Sequence, residues 1–205
     1  MILALFMLAA YLVGGIPFGL IIAKTIRGVD IRQLGSRNIG ATNVLRTVGW
    51  KGGLVVLILD AAKGFLPVLL AKSLFPNPIV TVGAGLAAML GHTFSPFLRF
   101  TGGRGVATGL GVMLALSWEA ALCGLGVALA LMAAFRYVSL GSIMGSLSLP
   151  FFMLMFRQPL AYIIFTSLAA ILIVVRHLPN IRRLLAGEEH KFGERPSQQA
   201  VAEEE

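Results

Sequence analysis

This sequence is short of charge, and shorter still of negative charge. Nine Asp and Glu face 17 Lys and Arg among 205 residues, charged side chains make up 13% of the chain, and the net charge at pH 7 is +8. So little polar surface cannot cover a water-soluble globule of this size. Cysteine is nearly absent too. Cys123 stands alone, which excludes an intrachain disulfide, and its alanine, leucine and glycine neighbours mark it as a small buried apolar residue. No set of His, Cys, Asp and Glu carries metal-ligand spacing, no CxxC occurs, and no pair of carboxylates is placed for acid–base work on a glycosidic bond. Neither a metal nor a cofactor is expected. The basic residues border apolar runs instead of gathering on one soluble surface, and no recognition module is visible, which excludes nucleic acid as a partner.

What the chain has in quantity is apolar sequence. Hydrophobic residues make up 57% of it, and the stretches 1–22, 73–98, 106–117, 120–135, 137–156 and 158–175 hold no Lys, Arg, Asp or Glu except at their margins. A membrane span needs about 20 predominantly apolar residues. We therefore expect an all-α polytopic membrane protein with seven transmembrane helices, at 2–23, 52–72, 78–98, 105–117, 120–135, 138–156 and 159–175. The fourth and fifth are short. A turn at Trp118-Glu119 separates them, because Glu119 would be costly in mid-membrane and tryptophan suits an interface. The first helix lacks a positive leading region and a small-residue cleavage site, so it is expected to be a retained span.

Alternation of these spans places 14 of the 17 basic residues on one side, leaving Lys72 and Arg157 opposite and Lys63 within a span. The positive-inside rule makes the rich side cytoplasmic, with the N-terminus external and the C-terminus cytoplasmic. Residues 1–195 are expected to form a single integral membrane domain and 196–205 a disordered polar tail. Without the turn before Ala120, the segment His92–Gly105 and the C-terminal tail would fall on opposite sides.

Polar sequence concentrates on that cytoplasmic side in interfacial or re-entrant loops. The connection Arg27–Gly49 holds many donors and one acid, Asp30, and its apolar residues argue for an interfacial loop leading into a short amphipathic helix. The segment from Gly91-His92 to Gly102-Gly103-Arg104-Gly105 ends in a glycine turn, whose backbone N–H groups and following helix N-terminus suit an anion. A third segment runs from Arg176-His177 through Asn180 to Lys191. Arginines, amides, hydroxyls and glycine turns together make a phosphate- or carbonyl-binding inventory. Elsewhere, Gly14-Gly15-Ile16-Pro17 offers a packing seam and a kink, provided neighbours satisfy the freed carbonyl. Asp60 and Lys63, three residues apart in a span, are either a structural ion pair or part of a cavity lining. His92 either caps a helix end or touches substrate.

Three runs carry a resemblance. Ser36-Arg37-Asn38-Ile39-Gly40-Ala41-Thr42-Asn43-Val44-Leu45-Arg46, then Gly91-His92 with Phe100-Thr101-Gly102-Gly103-Arg104-Gly105, then Arg176-His177 with Asn180-Ile181-Arg182-Arg183-Leu184 resemble the three cytoplasmic motifs of the bacterial acyl-phosphate:glycerol-3-phosphate acyltransferases. The similarity covers nearly the whole chain in size and motif order. It implies an inner-membrane enzyme that moves a fatty acyl group from acyl phosphate to the 1-hydroxyl of glycerol 3-phosphate, giving lysophosphatidic acid and inorganic phosphate. None of His92, His177 or His190 is followed five positions later by Asp, so the HxxxxD pattern of other glycerol-phosphate acyltransferases is missing.

On this resemblance Ser36, Arg46, Arg104, His177 and Asn180 are the expected catalytic residues. Asn38, Thr42, Asn43, His92, Gly102, Gly103, Gly105 and Lys191 are the expected substrate-binding residues. Arg37 stands where glycine is usual in the family and Arg104 where lysine is usual, which keeps the charge but replaces a point charge by a planar fork. The expected partners are the two small-molecule substrates and membrane lipid, with the protein a monomer. A rival reading, a small transporter for a phosphorylated or carboxylated solute, calls for an inverted repeat with helices broken near mid-membrane. The polar residues instead gather on one face, and no convincing repeat is seen.

Overall fold

The computed structural model describes residues 1–193, and the tail expected to be disordered lies outside them. Ten α-helices follow one another: α1 (Ile2–Gly15), α2 (Phe18–Arg27), α3 (Ala41–Thr47), α4 (Trp50–Leu74), α5 (Pro78–Thr93), α6 (Val106–Leu116), α7 (Trp118–Phe135), α8 (Val138–Met155), α9 (Leu160–Arg176) and α10 (Leu178–Ala186). Helical structure is what a bilayer demands, since each backbone N–H and C=O must then find its partner within its own segment.

The first expected span is broken in two. Pro17 has no N–H to donate and its ring opposes continuation, so the chain bends at Ile16-Pro17. Two carbonyls freed there are recovered from other helices: Ser95 Oγ donates to Gly15 O at 2.6 Å and Lys63 Nζ to Ile16 O at 2.8 Å. The expected condition on Pro17 is met, and Lys63 acquires a task that its pairing with Asp60 alone did not suggest.

Small residues set the helix spacing. A Cβ on Gly14 would overlap the Ala88 carbonyl, and one on Gly91 the Tyr11 carbonyl, so α1 and α5 touch backbone to backbone. Gly64 and Gly111 do the same for α4 and α6. The helices consequently sort into two groups. α1 to α6 pack around α4 and α5, whereas α7, α8 and α9 pack chiefly on one another. A cleft lies between the groups.

All seven expected segments are helical, with two differences. Five helices or helix pairs are long and apolar enough to cross a membrane, six if α9 and α10, bent by 57°, form one span. Helix α6 has only 11 residues, about 16 Å at 1.5 Å per residue against a hydrocarbon core of about 30 Å. The turn between α6 and α7 is at Ser117, one residue before the expected Trp118-Glu119. Ser117 accepts from the Ala120 N–H and donates to Glu119, so the acid completes the start of α7 in place of forming the turn itself. That break returns the chain. Arg176, at the end of α9, bonds the carbonyls of Gly102 and Gly103 just before α6, so helices α6 to α9 bring the chain back to the end of the molecule it left.

Candidate active site

Loop 30–40 is folded around one side chain. Asn43 on α3 is buried; its Nδ2 lies within hydrogen-bond reach of the carbonyls of Ile31, Leu34 and Asn38 (3.2, 2.9 and 2.8 Å), and its Oδ1 accepts the Ser36 N–H at 3.0 Å. The amide's hydrogen bonds are thus made inside the loop, which Asn43 scaffolds while also bordering the cavity. Asn38 Oδ1 likewise accepts the Gly40 N–H at 2.9 Å. This folding leaves Ser36, Asn38, Thr42 and Arg46 along one wall of a cavity. Arg37 adopts φ +56°, a left-handed conformation that explains why glycine suits this position.

The glycine turn is held from both sides. Gly103 donates its N–H to the His92 carbonyl at 3.1 Å, while the Arg176 guanidinium takes the carbonyls of Gly102 (3.0 Å) and Gly103 (3.3 Å). Gly103 therefore has no N–H left for a ligand. The expected anion nest reduces to the start of α6, where Gly105, at φ +83°, opens the helix and Arg104 to Ala107 line the cavity. His92 is buried against the turn, and a Cβ on Gly103 would overlap its Nε2. Its Nδ1 makes no hydrogen bond and lies 3.9 Å from Asp60, which pairs with Lys63 at 2.6 Å. Asp60 and His92 also reach the cavity wall, so the ion pair of Asp60 with Lys63 is at the same time part of the cavity lining, and His92 borders the cavity without a capping bond from its ring.

The third segment supplies a group that the sequence reading passed over. Glu189 accepts from Asn180 Nδ2 (2.6 Å), Ser139 Oγ (2.8 Å) and Arg183 Nε (2.7 Å), joining α8, α10 and the chain after it. Burial alone would raise its pKa, but these three bonds outweigh it and hold the carboxyl below its ordinary value. A carboxylate only accepts, so the bond fixes the Asn180 amide with Nδ2 toward Glu189 and Oδ1 turned away. Asn180 Oδ1 is buried and accepts from no protein donor among the described residues, so its lone pairs face the cavity's contents. His177 Nδ1 faces the Ile173 carbonyl at 2.8 Å. The carbonyl can only accept, so Nδ1 carries hydrogen and a neutral ring keeps its lone pair on Nε2.

Arg46, Arg104, His177 and Asn180 thus line the mouth of one cavity of about 1010 Å³, whose remaining walls are mostly apolar and run between α6, α7, α8 and α9. A second cleft of about 720 Å³ opens beside it, shares Ser36, Arg37, Asn38, Arg104 and Arg183, and adds Gly102, Arg176 and Arg182. Lys191 belongs to neither lining; its ammonium lies 5.9 Å from the Tyr137 ring centroid, on the outer rim. Burial pushes the Arg104 guanidinium down to about 10, an effect opposed by Glu189 and reinforced by Arg183, Arg176 and Arg46. Arg104 stays charged at neutral pH. Several cations around one carboxylate leave a net positive mouth that an anion would relieve.

Residues 4–187 match the family described as glycerol-3-phosphate acyltransferase. Similar proteins include the glycerol-3-phosphate acyltransferase of Desulforamulus reducens, 48% identical over 92% of this chain and 94% of that one, and that of Trichlorobacter lovleyi, 49% identical over 89% and 94%. A crystal structure of PlsY (YgiH), an integral membrane glycerol 3-phosphate acyltransferase, in its glycerol 3-phosphate form superimposes with a TM-score of 0.90 at 42% identity, covering 98% of this chain and 99% of that one. The chain belongs to the glycerol-3-phosphate acyltransferase family.

Proposed function

We propose that this protein transfers a fatty acyl group from acyl phosphate to the 1-hydroxyl of sn-glycerol 3-phosphate, releasing inorganic phosphate. The observation that carries this reading is the single cavity that joins a cationic mouth to a long apolar groove. One substrate must present a phosphate and an acyl chain together, and this shape accommodates both. An acyl phosphate is already activated, so the protein need supply no strong nucleophile. It must bring the hydroxyl to the carbonyl and stabilise charge on the carbonyl oxygen and the departing phosphate.

Arg104 and Arg46, with the N-terminus of α6, bind and neutralise phosphate in this scheme. Asn180 Oδ1, to which no described protein group donates, accepts a hydrogen bond from the attacking glycerol. His177, whose Nε2 retains a lone pair, or a phosphate oxygen of the donor takes the proton. Ser36, Asn38 and Thr42 orient the polar ends of the substrates, and Lys191 attracts them from the rim. Seven passes, an external N-terminus and a site on the cytoplasmic face of the bacterial inner membrane accompany this reading, since both substrates carry anionic groups drawn to the basic end. The protein acts as a monomer in contact with membrane lipid.

Purified protein given palmitoyl phosphate and labelled glycerol 3-phosphate is expected to form lysophosphatidic acid, and none with palmitoyl-CoA. Product from the thioester alone would overturn the choice of donor. Labelled solute accumulating inside sealed vesicles with no acyl product would favour transport.

A further inference from the structure

The groove is closed at its inner end, and the position of the closure is set by few side chains. Helix α8 lines it from Ser139 to Leu149, α7 from Ala133 to Ala121, and α9 from His177 to Thr166. From end to end these stretches advance by about ten to twelve residue steps, so the groove is roughly 15–18 Å deep at about 1.5 Å per residue. Beneath Ala121 and Thr166 the core is filled by Leu116, Met153 and Tyr162, all buried. The opening to lipid lies at the other end: Leu54 and Leu57 on α4 and Leu129 on α7 line the cavity near the mouth and are exposed.

The walls are apolar in effect as well as in composition. Ser142 donates to the Val138 carbonyl (2.8 Å), Ser146 to that of Ser142 (2.7 Å), and Thr166 to those of Tyr162 and Ile163 (3.0 and 2.9 Å). Each hydroxyl is turned back on its own helix, so none presents an unmet hydrogen bond to a hydrocarbon chain.

Resting on the acyl-transfer reading, we propose that Ala121, Leu149 and Thr166 form a floor that selects the length of the acyl chain. A donor enters sideways past Leu54 and Leu129, its phosphate goes to Arg104, and its methyl end meets the floor. Carbon–carbon bonds of about 1.5 Å advance an extended chain by about 1.3 Å per carbon, so the groove holds about 12–14 carbons beyond the mouth. A methylene that cannot be buried loses about fourfold in affinity at the usual gain per CH₂, which makes the floor a selective device. Ala121 has the smallest side chain of the three, and Leu149 reaches across toward Gly124 on α7, where an added Cβ would meet its Cδ2 at 2.6 Å.

The test compares kcat/KM for a series of saturated acyl phosphates from eight to eighteen carbons in the parent, Ala121→Leu and Leu149→Ala proteins. Ala121→Leu raises the ratio of dodecanoyl to hexadecanoyl phosphate at least tenfold, and Leu149→Ala lowers it about threefold, with the KM for glycerol 3-phosphate unchanged in both. Variants that keep the parent's length profile would overturn the floor while leaving acyl transfer intact. If Ala121→Leu does not fold, Leu149→Ala decides alone, and an unshifted profile there overturns the proposal. A parent protein that uses no acyl phosphate of any length sinks the underlying reading instead.

Discussion

The mouth and the groove of the cavity are built by different physics. At the mouth, position is enforced by directional bonds between segments distant in sequence: Arg176 to Gly102 and Gly103, Glu189 to Ser139, Asn180 and Arg183, Arg46 to the His190 carbonyl at 3.4 Å. In the groove, position is enforced by small residues that bring helices into contact, and the hydroxyls of Ser142, Ser146 and Thr166 are bonded within their own helices. Substitutions at the mouth should accordingly change catalysis steeply through one or two atoms. Those in the groove should change selectivity gradually with volume.

The sharpest way to break this comparison is at Arg104. No hydrogen bond or ion pair ties its side chain among the described residues, yet it is largely buried and lines both clefts. Arg104→Ala is expected to lower kcat/KM by about 10³, or about 4 kcal/mol, the scale of removing one donor to developing negative charge. The melting temperature should barely move. Arg104→Lys should recover all but about tenfold, since it keeps the charge and loses the planar fork. Activity in Arg104→Ala within threefold of the parent would place the decisive charge elsewhere.

Gly103, packed at the mouth, and Gly126, on the exposed outer face of α7, give the next comparison. Gly103→Ala would drive a methyl into the His92 ring, against backbone already fixed by Arg176. Overpacking of this kind costs about 1–3 kcal/mol, and both the melting temperature and kcat/KM should fall. Adding His92→Ala to Gly103→Ala should restore part of the loss, a coupling that a double-mutant cycle measures. Gly126 on α7 meets nothing within 4 Å, so Gly126→Ala should be neutral or stabilise by up to about 1 kcal/mol through helix propensity. Equal destabilisation at the two sites would remove the distinction.

This division also explains what could be read from the sequence. Helix positions were legible because the bilayer requires long uncharged runs, and the bend at Pro17 because proline removes a donor. Arg46, Arg104, His177 and Asn180 could be placed together because polar residues between apolar runs have few other places to go. The roles of Asn43 and Gly103 were not legible. An amide that folds its own loop and one that binds substrate look alike until their hydrogen bonds are traced, and the N–H of Gly103 is spent on the carbonyl of His92, far back along the chain. Glu189 was missed for a related reason. It follows Glu188 in a stretch that reads as surface, and only the bend after His177 brings it over Ser139 and Asn180. The signal was available: apart from Asp30, Glu188 and Glu189 are the acids within the three polar segments. Nothing in the sequence marks Ala121 or Leu149, because groove depth depends on where α7, α8 and α9 stop facing α6.

Glu189→Gln tests whether the mouth depends on the charge or only on the shape of that side chain. Glutamine keeps one acceptor oxygen and loses the anion opposite Arg183 and Asn180, for a cost of about 1.5 kcal/mol at the low end for hydrogen bonds to a charged group. The pH dependence has a definite sign. The folded carboxyl titrates below its ordinary 4.5, so its stabilisation is complete above that value and is lost as pH falls through the lower folded value. The difference in melting temperature between parent and Glu189→Gln should stay constant from pH 7 to 5 and shrink below about 4.5. A gap that closes already between pH 7 and 6 would show that another group carries it.

The smallest effect is expected at Arg37, where backbone and side chain pull in opposite directions. A non-glycine residue in the left-handed region costs about 1–2 kcal/mol, and glycine removes that strain while giving back about 0.4–1 kcal/mol through a more flexible unfolded chain. Arg37→Gly should therefore raise stability by less than about 1 kcal/mol. The guanidinium lines both clefts but is itself exposed, so it attracts anions across solvent that salt screens within about 10 Å at 0.1 M. Its loss should raise the KM for glycerol 3-phosphate two- to threefold at low salt, with the difference fading as salt is added and kcat unchanged. A fall in kcat of tenfold or more would mean that Arg37 touches the reacting groups, and it would have to be counted with Arg46 and Arg104 in the chemistry of the mouth.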